Sequence, residues 1–351
     1  MPTIFIKDDL RAAVEAASGG RQTVLYTAKG QPSYMNVVPK FNLEDVADTA
    51  GSLGTGVHPA FIVNGIEKSE FFYGSYSGVI KNGELLSLPN TNPGRSSNFD
   101  AFSNAARANG AGWHISTNAE WAALLLWCHK NGFVPRGSDN FGRSSDANYE
   151  SGRRVDGQAP GITSGDPAIL TGSGPASWRH DNTSGGISDL VGNVWEWQGG
   201  LRLVDGEIQI IPNNDAVNAD LAEASIAWKA IDGATGAFVA PGHANAVKYA
   251  VSGTAAYTLV RASGQSFGGI TNPSATPVSA AALQVLRRNG LFPDASRADG
   301  DGLWLDLTGE RLPIRGGNWS NGAAAGVRAL NLSYARSHVN SSVGARPAFV
   351  L

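Results

Sequence analysis

Apolar residues recur at helical spacing in only a few stretches of this 351-residue chain, and the clearest begins near Ser116. Trp121, Leu124, Leu125 and Cys128 stand at i, i+3, i+4 and i+7, which places them on one stripe of a helix facing a core. Thr117 with Glu120 three residues on predicts a capping box at its start, and Gly132 sits where a left-handed residue closes a helix. Phe99, Phe102 and Ala106 predict a helix over 98–109. Asp8 or Asp9 is expected to cap a short helix through Ala17, ended by Gly19 and Gly20. Further helices are expected near 216–231 and 279–289, the second with Ser279 as cap, Leu283 and Leu286 on one side and Gly290 as stop.

Elsewhere the pattern is short and strand-like. TVLYT (23–27), HPAFIVNG (58–65) and EFFYGSYSG (70–78) read as strands, the last two interrupted by glycine. Residues 136–186 have almost no apolar periodicity and predict a long ordered loop region. Aromatic strands follow the turn in GGISDLVGNVWEWQGGLRLVDGEIQIIP (185–212). The tail from Leu312 starts and ends as strand, with a long Asn/Ser/Ala-rich passage between. The expected class is α+β, loop-rich, with short antiparallel strands and two or more helices. No internal repeat or independent linker interrupts it.

Composition narrows the function. Charged residues are only 16% of the chain and the net charge is −3, so there is no electrostatic case for nucleic acid or an anionic membrane. Nine Trp and thirteen Phe imply real burial, while 44 Gly suit many tight turns. Cys128 is the single cysteine, which excludes an intrachain disulfide and a thiolate zinc cluster. On the buried stripe it reads as a small core hydrophobe. The N-terminal MPTIFIKDDLRAAVEAA has no long apolar run and reads as neither signal peptide nor membrane span.

Three separated segments together resemble the formylglycine-generating-enzyme (sulfatase-modifying factor) family, whose fold is C-type-lectin-like. They are GWHISTNAEWAALLLW (112–127), ISDLVGNVWEW (187–197), and IRGGNW (314–319) followed by Arg336 and GARPA (344–348). HPAFIVNGIEKSEFFYGSY (58–76) is a looser match. The resemblance covers about 35–350 and implies that 1–34 is a starter or attachment segment. The gap from Trp197 to Ile314 exceeds the family's, which implies an insertion at about 203–305. Read from the residues themselves, Trp195 and Trp197 alternate around Glu196 and pack on one side of a strand. Gly192, Gly316 and Gly317 permit turns or close approach, and Arg315 and Arg346 are expected to lock the fold against buried acceptors.

The family's oxidases use a cysteine pair in the segment after RGGS. Here residues 321–326 are Asn, Gly, Ala, Ala, Ala and Gly, with no sulfur. The six histidines form no spaced metal cluster, and no GxSxG elbow, P-loop or HExxH occurs. An enzyme is therefore not expected; a formylglycine-generating-type oxidase is the minor alternative. Residues 315–346, RGGNWSNGAAAGVRALNLSYARSHVNSSVGAR, resemble the C-terminal segment of variable proteins of diversity-generating retroelements, phage tropism determinants among them. That resemblance implies a ligand-binding role for Ser320, Asn321, Ala323, Ala324, Arg328, Asn331, Ser333, Tyr334, His338, Asn340, Ser341, Ser342 and Ala345. The residue pattern agrees, with Val327, Ala329, Leu330, Leu332 and Ala335 as apolar anchors between outward polar side chains of paratope type.

The expected function is that of a phage tail-tip receptor-binding protein, an adhesin attaching the virion to a bacterial surface receptor, protein or glycan. A bacterial retroelement-diversified ligand-binding protein is the alternative. Partners would be the receptor, phage tail proteins and further copies of the chain, with a trimer implied by relatives. No cofactor is required. The family often binds calcium near GNVWEW, and Asp189, Asn193 and Glu196 offer oxygens for that ion.

Overall fold

A computed structural model describes residues 8–261, 266–294 and 300–351. Four of the five predicted helices form, each with the local chemistry its sequence supplies. Helix α1 (Asp9–Ser18) starts where the Asp8 carboxylate accepts from the Arg11 amide, and it ends at Gly19 with φ 63°. After a single turn, α2 (Leu43–Val46), come α3 (Phe99–Arg107), capped by Asn98, and α4 (Asn118–Lys130). In α4 the Thr117 hydroxyl accepts from the Glu120 amide at 3.2 Å, and the Glu120 carboxylate accepts from the Thr117 amide at 3.0 Å. Helix α5 (Ala280–Arg288) begins on Ser279 and stops before Gly290, whose φ is 64°.

Three expectations are corrected. Helix α4 is buried on all sides rather than on one stripe: every residue from Asn118 to Leu126 is inside, so it is a central helix and not an amphipathic one. The helix expected near 216–231 does not form. Only Asp215–Val217 makes a 3₁₀ turn, after which Asp220 and Ser225 accept from amides two residues on and hold the backbone in turns. In the 58–65 stretch, Pro59–Phe61 is a 3₁₀ turn and only Ile62–Val63 is extended, because the His58 ring caps the Ala60 amide.

Two principal sheets organise the remainder. One is antiparallel and runs Gln22–Tyr26, Pro32–Pro39, Glu70–Gly74, Pro347–Phe349, Trp113–Ile115 in spatial order. The strand Pro32–Pro39 passes through position 34, so the N-terminal strands and the C-terminal one share a sheet. The larger sheet carries the tail. Its strand Glu310–Gly316 lies between Leu201–Val204 and Gly326–Tyr334 and also pairs with Trp195–Trp197.

Residues 203–305 extend this larger sheet rather than standing apart. Leu259, Phe267, Ile270 and Leu286 from that region pack in one cluster with Leu330 and Leu332 of the tail. Leu303–Leu305 runs parallel to Gly326–Tyr334 and closes its other edge. Trp195 meets Trp304 edge to face at 5.3 Å, and Phe99 meets Trp197 at 6.0 Å, so the two indoles do pack as expected. Cys128 is fully buried, as its place in the helix requires. Among the described residues no helix is long and apolar enough to cross a membrane.

His58 gives the fold a pH signature. Its Nε2 faces the Arg288 carbonyl at 3.0 Å and its Nδ1 accepts from Ala60, which requires the neutral ring. Burial pulls its pKa from 6.5 down to about 3. The unfolded chain therefore takes up a proton that the folded chain refuses as pH falls below 6.5. Stability is expected to be fully present above that value and to decline between pH 6.5 and 5, by up to about 1.4 kcal/mol per pH unit. Urea denaturation across that window checks this; a flat profile would contradict the buried neutral ring.

Candidate functional site

The 315–346 segment is built on two antiparallel strands and two loops. Ile314 lies opposite Asn331 and Arg315 opposite Leu330, while Leu330 and Asn331 face Leu303 and Trp304 on the other side. The strand Gly326–Tyr334 is thus flanked on both edges, and all residues from Gly326 to Leu332 are buried. Within the Asn/Ser/Ala-rich passage a nine-residue strand forms, its neighbours on both edges supplied by other segments of the chain.

Buried guanidinium groups hold this frame. Arg346 donates from Nε to Glu196 Oε2 at 2.9 Å and from Nη2 to Oε1 at 2.6 Å, and also reaches the carbonyls of Gly74 and Ser188. Burial alone would lower its pKa, but the Glu196 charge holds it above the ordinary arginine value. Arg315 has only neutral acceptors, Asn118 Oδ1 and the carbonyls of Gly290 and Arg328, and burial brings its pKa down to about 10. Both arginines lock the fold as expected. Gly316 has φ 93°, and a Cβ there would lie 2.6 Å from the Leu190 carbonyl oxygen, so the chain turns into its loop at a position only glycine fits.

The first loop, 317–325, is pinned by its own backbone and by neighbours. The Asn318 amide donates to Asn321 Oδ1, and Asn318 Oδ1 accepts from the Ser320 amide and hydroxyl. Gly322 donates to the Asp139 carbonyl, Phe141 to the Trp319 carbonyl, and Trp319 to the Asn193 carbonyl. The second loop, 335–342, is held by Asn340, whose Oδ1 accepts from both the amide and the hydroxyl of Ser342. Arg95 joins the two loops. Its guanidinium lies 5.8 Å from the Trp319 ring centroid, donates to the Ser341 carbonyl at 3.4 Å and forks onto Asp166.

The thirteen candidate residues divide into three groups. Ser320, Ala323 and Ser341 are exposed. Asn321, Ala324, Ser333, Tyr334, His338 and Asn340 are half-buried. Tyr334 and His338 stack on each other with centroids 3.8 Å apart and planes 15° from parallel. Partial burial lowers the His338 pKa.

Arg328, Asn331, Ser342 and Ala345 are buried, which corrects the expectation that all thirteen face outward. The Arg328 side chain turns inward to His129 Nδ1 at 3.2 Å, and its amide donates to Asp301. Asn331 Oδ1 accepts from the Ser333 amide within the strand. Ser342 is tied to Asn340, and Ala345 pairs in register with Trp197. These four belong to the frame.

The three residues offered for calcium are likewise committed to the fold. Asp189 and Asn193 both have φ 59° and shape the turn before the Trp195–Trp197 strand. Asp189 Oδ2 accepts from the Gly172 amide at 2.7 Å, and burial raises its pKa, which disfavours an anionic ligand. Asn193 Oδ1 accepts from the Ile169 amide at 2.9 Å. Both Glu196 oxygens face Arg346, a cation where a metal would need open lone pairs. These residues do not fit an ion, and among the described residues no group of three or more His, Cys, Asp or Glu could hold one.

Several residues beside the candidate loops were not singled out in the sequence: Arg95, Trp319, Val134, Asp139, Asp146 and Tyr149. Val134 and Tyr149 are exposed at 70% and 87%. Three of them, Asp139, Asp146 and Tyr149, come from the stretch without periodicity, where no local pattern marks a residue as facing a site.

No family model matches the chain, and neither does any curated protein. Among solved structures, one to which it is similar is Treponema denticola variable protein 1. The two share 11% identity over 93% of this chain and 98% of that chain, with a TM-score of 0.35.

Glu196→Ala leaves the Arg346 guanidinium buried without its counter-charge and is expected to cost about 3–5 kcal/mol in urea denaturation. Melting temperature is expected to be the same with added calcium as with a chelator. A calcium-dependent rise that Glu196→Gln abolishes would contradict the assignment of Glu196 to the frame.

Proposed function

We propose that this protein is a non-catalytic adhesin of a phage tail tip, attaching the virion to a bacterial surface receptor through the loops 317–325 and 335–342. The observation that carries the reading is the division within 315–346. Its strand residues are buried and cross-bonded, while Ser320, Ala323 and Ser341 are exposed on two loops that Arg95 and Trp319 join. A pinned backbone presenting replaceable side chains suits recognition, because little conformational entropy is lost on binding. The resemblance of the segment to retroelement-diversified proteins supports the same reading.

Oxidase chemistry has no support in the thiol inventory. The single thiol, Cys128, is buried, its pKa is raised by burial, and its sulfur contacts the His180 carbonyl at 3.4 Å. The exposed side chains among the thirteen candidates, Ser320, Ala323 and Ser341, are small, and Val339 is the large apolar one exposed beside them, so one site would bind weakly. Several copies on one particle would raise avidity by roughly 10²–10⁴ without new contacts, and a homotrimer meets that need.

Purified protein is expected to compete with particles for adsorption to host cells. Ser320→Trp and Ser341→Trp are expected to weaken that competition about tenfold, the scale of a disrupted contact centre, with melting unchanged. Variants that compete as well as the parent protein would contradict the assignment of these loops.

A further inference from the structure

A cavity opens between the first candidate loop and residues 133–146. Its volume is about 370 Å³, within the roughly 300–1,000 Å³ of small-ligand pockets. Ala323, Ala325 and Val327 of the tail and Phe133, Val134 and Val191 give it an apolar lining. Carboxylates stand among them.

The charges in the lining do not cancel. Arg136 is held by the Glu150 carboxylate, which also accepts from Ser177 and Trp178 at 2.8 Å, and this pairing brings the Glu150 pKa down to about 2. His129 accepts at Nδ1 from Arg328. Asp301 receives the Arg328 amide. Of Asp139 and Asp146, burial raises the pKa of Asp139, so Asp146 sets the sign at the mouth of the cavity. Asp139 is buried, with both oxygens oriented by Ser145, and Asp146 is exposed at the edge.

We infer that this cavity is a subsite for an alkylammonium group, the chemistry of a lysine side chain on the receptor, with the apolar lining taking the methylene stem and the exposed Asp146 carboxylate meeting the cation. A stem with a charged tip matches apolar walls and an anionic edge. The inference rests on the adhesin reading and deepens it. It assigns half of the recognition surface to a fixed loop outside 315–346. It also gives Ala323 a role: the residue keeps the cavity open because it is small. A large side chain at the same position would close it, so the residue at 323 selects between a pocket and a filled surface.

The test is an NMR titration of the full chain with Nα-acetyl-lysine methylamide and, separately, its uncharged isostere Nα-acetyl-norleucine methylamide. The lysine probe is expected to shift the amide resonances of Val134, Asp146, Ala323 and Val327 saturably. The norleucine probe is expected to bind about fivefold more weakly or less, as is the lysine probe to Asp146→Asn, the scale of one or two partly exposed charge contacts. Ala323→Trp should abolish the shifts while the protein stays folded. Equal binding of the two probes, unchanged binding to Ala323→Trp, or no shifts with either probe would overturn the subsite. Adsorption competition separates the two proposals. If Ser341→Trp loses competition but Ala323→Trp retains it, the subsite falls and the adhesin reading stands. If all three variants compete fully, the adhesin reading falls as well.

Discussion

The buried pair of Glu196 and Arg346 is the constraint on which the rest of the molecule depends. Two opposite charges, each almost wholly removed from water, are stable only if their hydrogen-bonding capacity is met. Meeting it draws four parts of the chain together. The Trp195–Trp197 strand supplies Glu196, the C-terminal segment supplies Arg346, and Gly74 and Ser188 add carbonyls, while the Ser77 hydroxyl donates to the carboxylate at 2.8 Å. The Val343–Ala345 strand lies parallel to Trp195–Trp197, so the pair also fixes where the second candidate loop ends.

Register then passes outward from this point. Arg315 is opposite Glu196, and its own guanidinium reaches α4 through Asn118, the end of α5 through the Gly290 carbonyl, and the tail strand through the Arg328 carbonyl. The strand that enters the first loop is thereby bound to three elements before the chain turns at Gly316. A recognition surface needs such support, since a loop that can relax loses part of its binding energy to ordering. Buried polar residues within 315–346 have the same origin: Arg328 and Asn331 sit on a strand covered on both faces, and their side chains serve neighbours rather than solvent.

Much of this was legible in the sequence where the signal is local. Caps at Asp8, Thr117 and Ser279 predicted their helices because a side chain meets an amide only a few residues away, and the spacing of Phe99, Phe102 and Ala106 predicted α3. The roles of Arg315 and Arg346 followed from the difficulty of burying a guanidinium without acceptors. What stayed hidden depends on distant partners. Arg328 alternates with apolar neighbours like an outward residue, and its side chain instead turns inward to His129 of α4, a partner 199 positions away. Glu196 offered oxygens suited to a cation, and the cation it meets is an arginine 150 positions away. Asp139 and Asp146 come to the candidate loops from the segment without periodicity, where the chain gives no local sign of which side faces a ligand, and Arg95 comes from the segment before α3.

The central claim is that 315–346 holds a buried frame and two presenting loops with separate tasks. A saturation library across this segment, sorted once for folded protein and once for binding to bacterial cells, tests it most directly. The account predicts that substitutions at Arg328, Asn331, Ser342 and Ala345 are depleted in the first sort. Substitutions at Ser320, Asn321, Ala323 and Ser341 should pass it and be depleted only in the second. Binding losses that follow folding losses position by position, with no loop residue lost for binding alone, would contradict it.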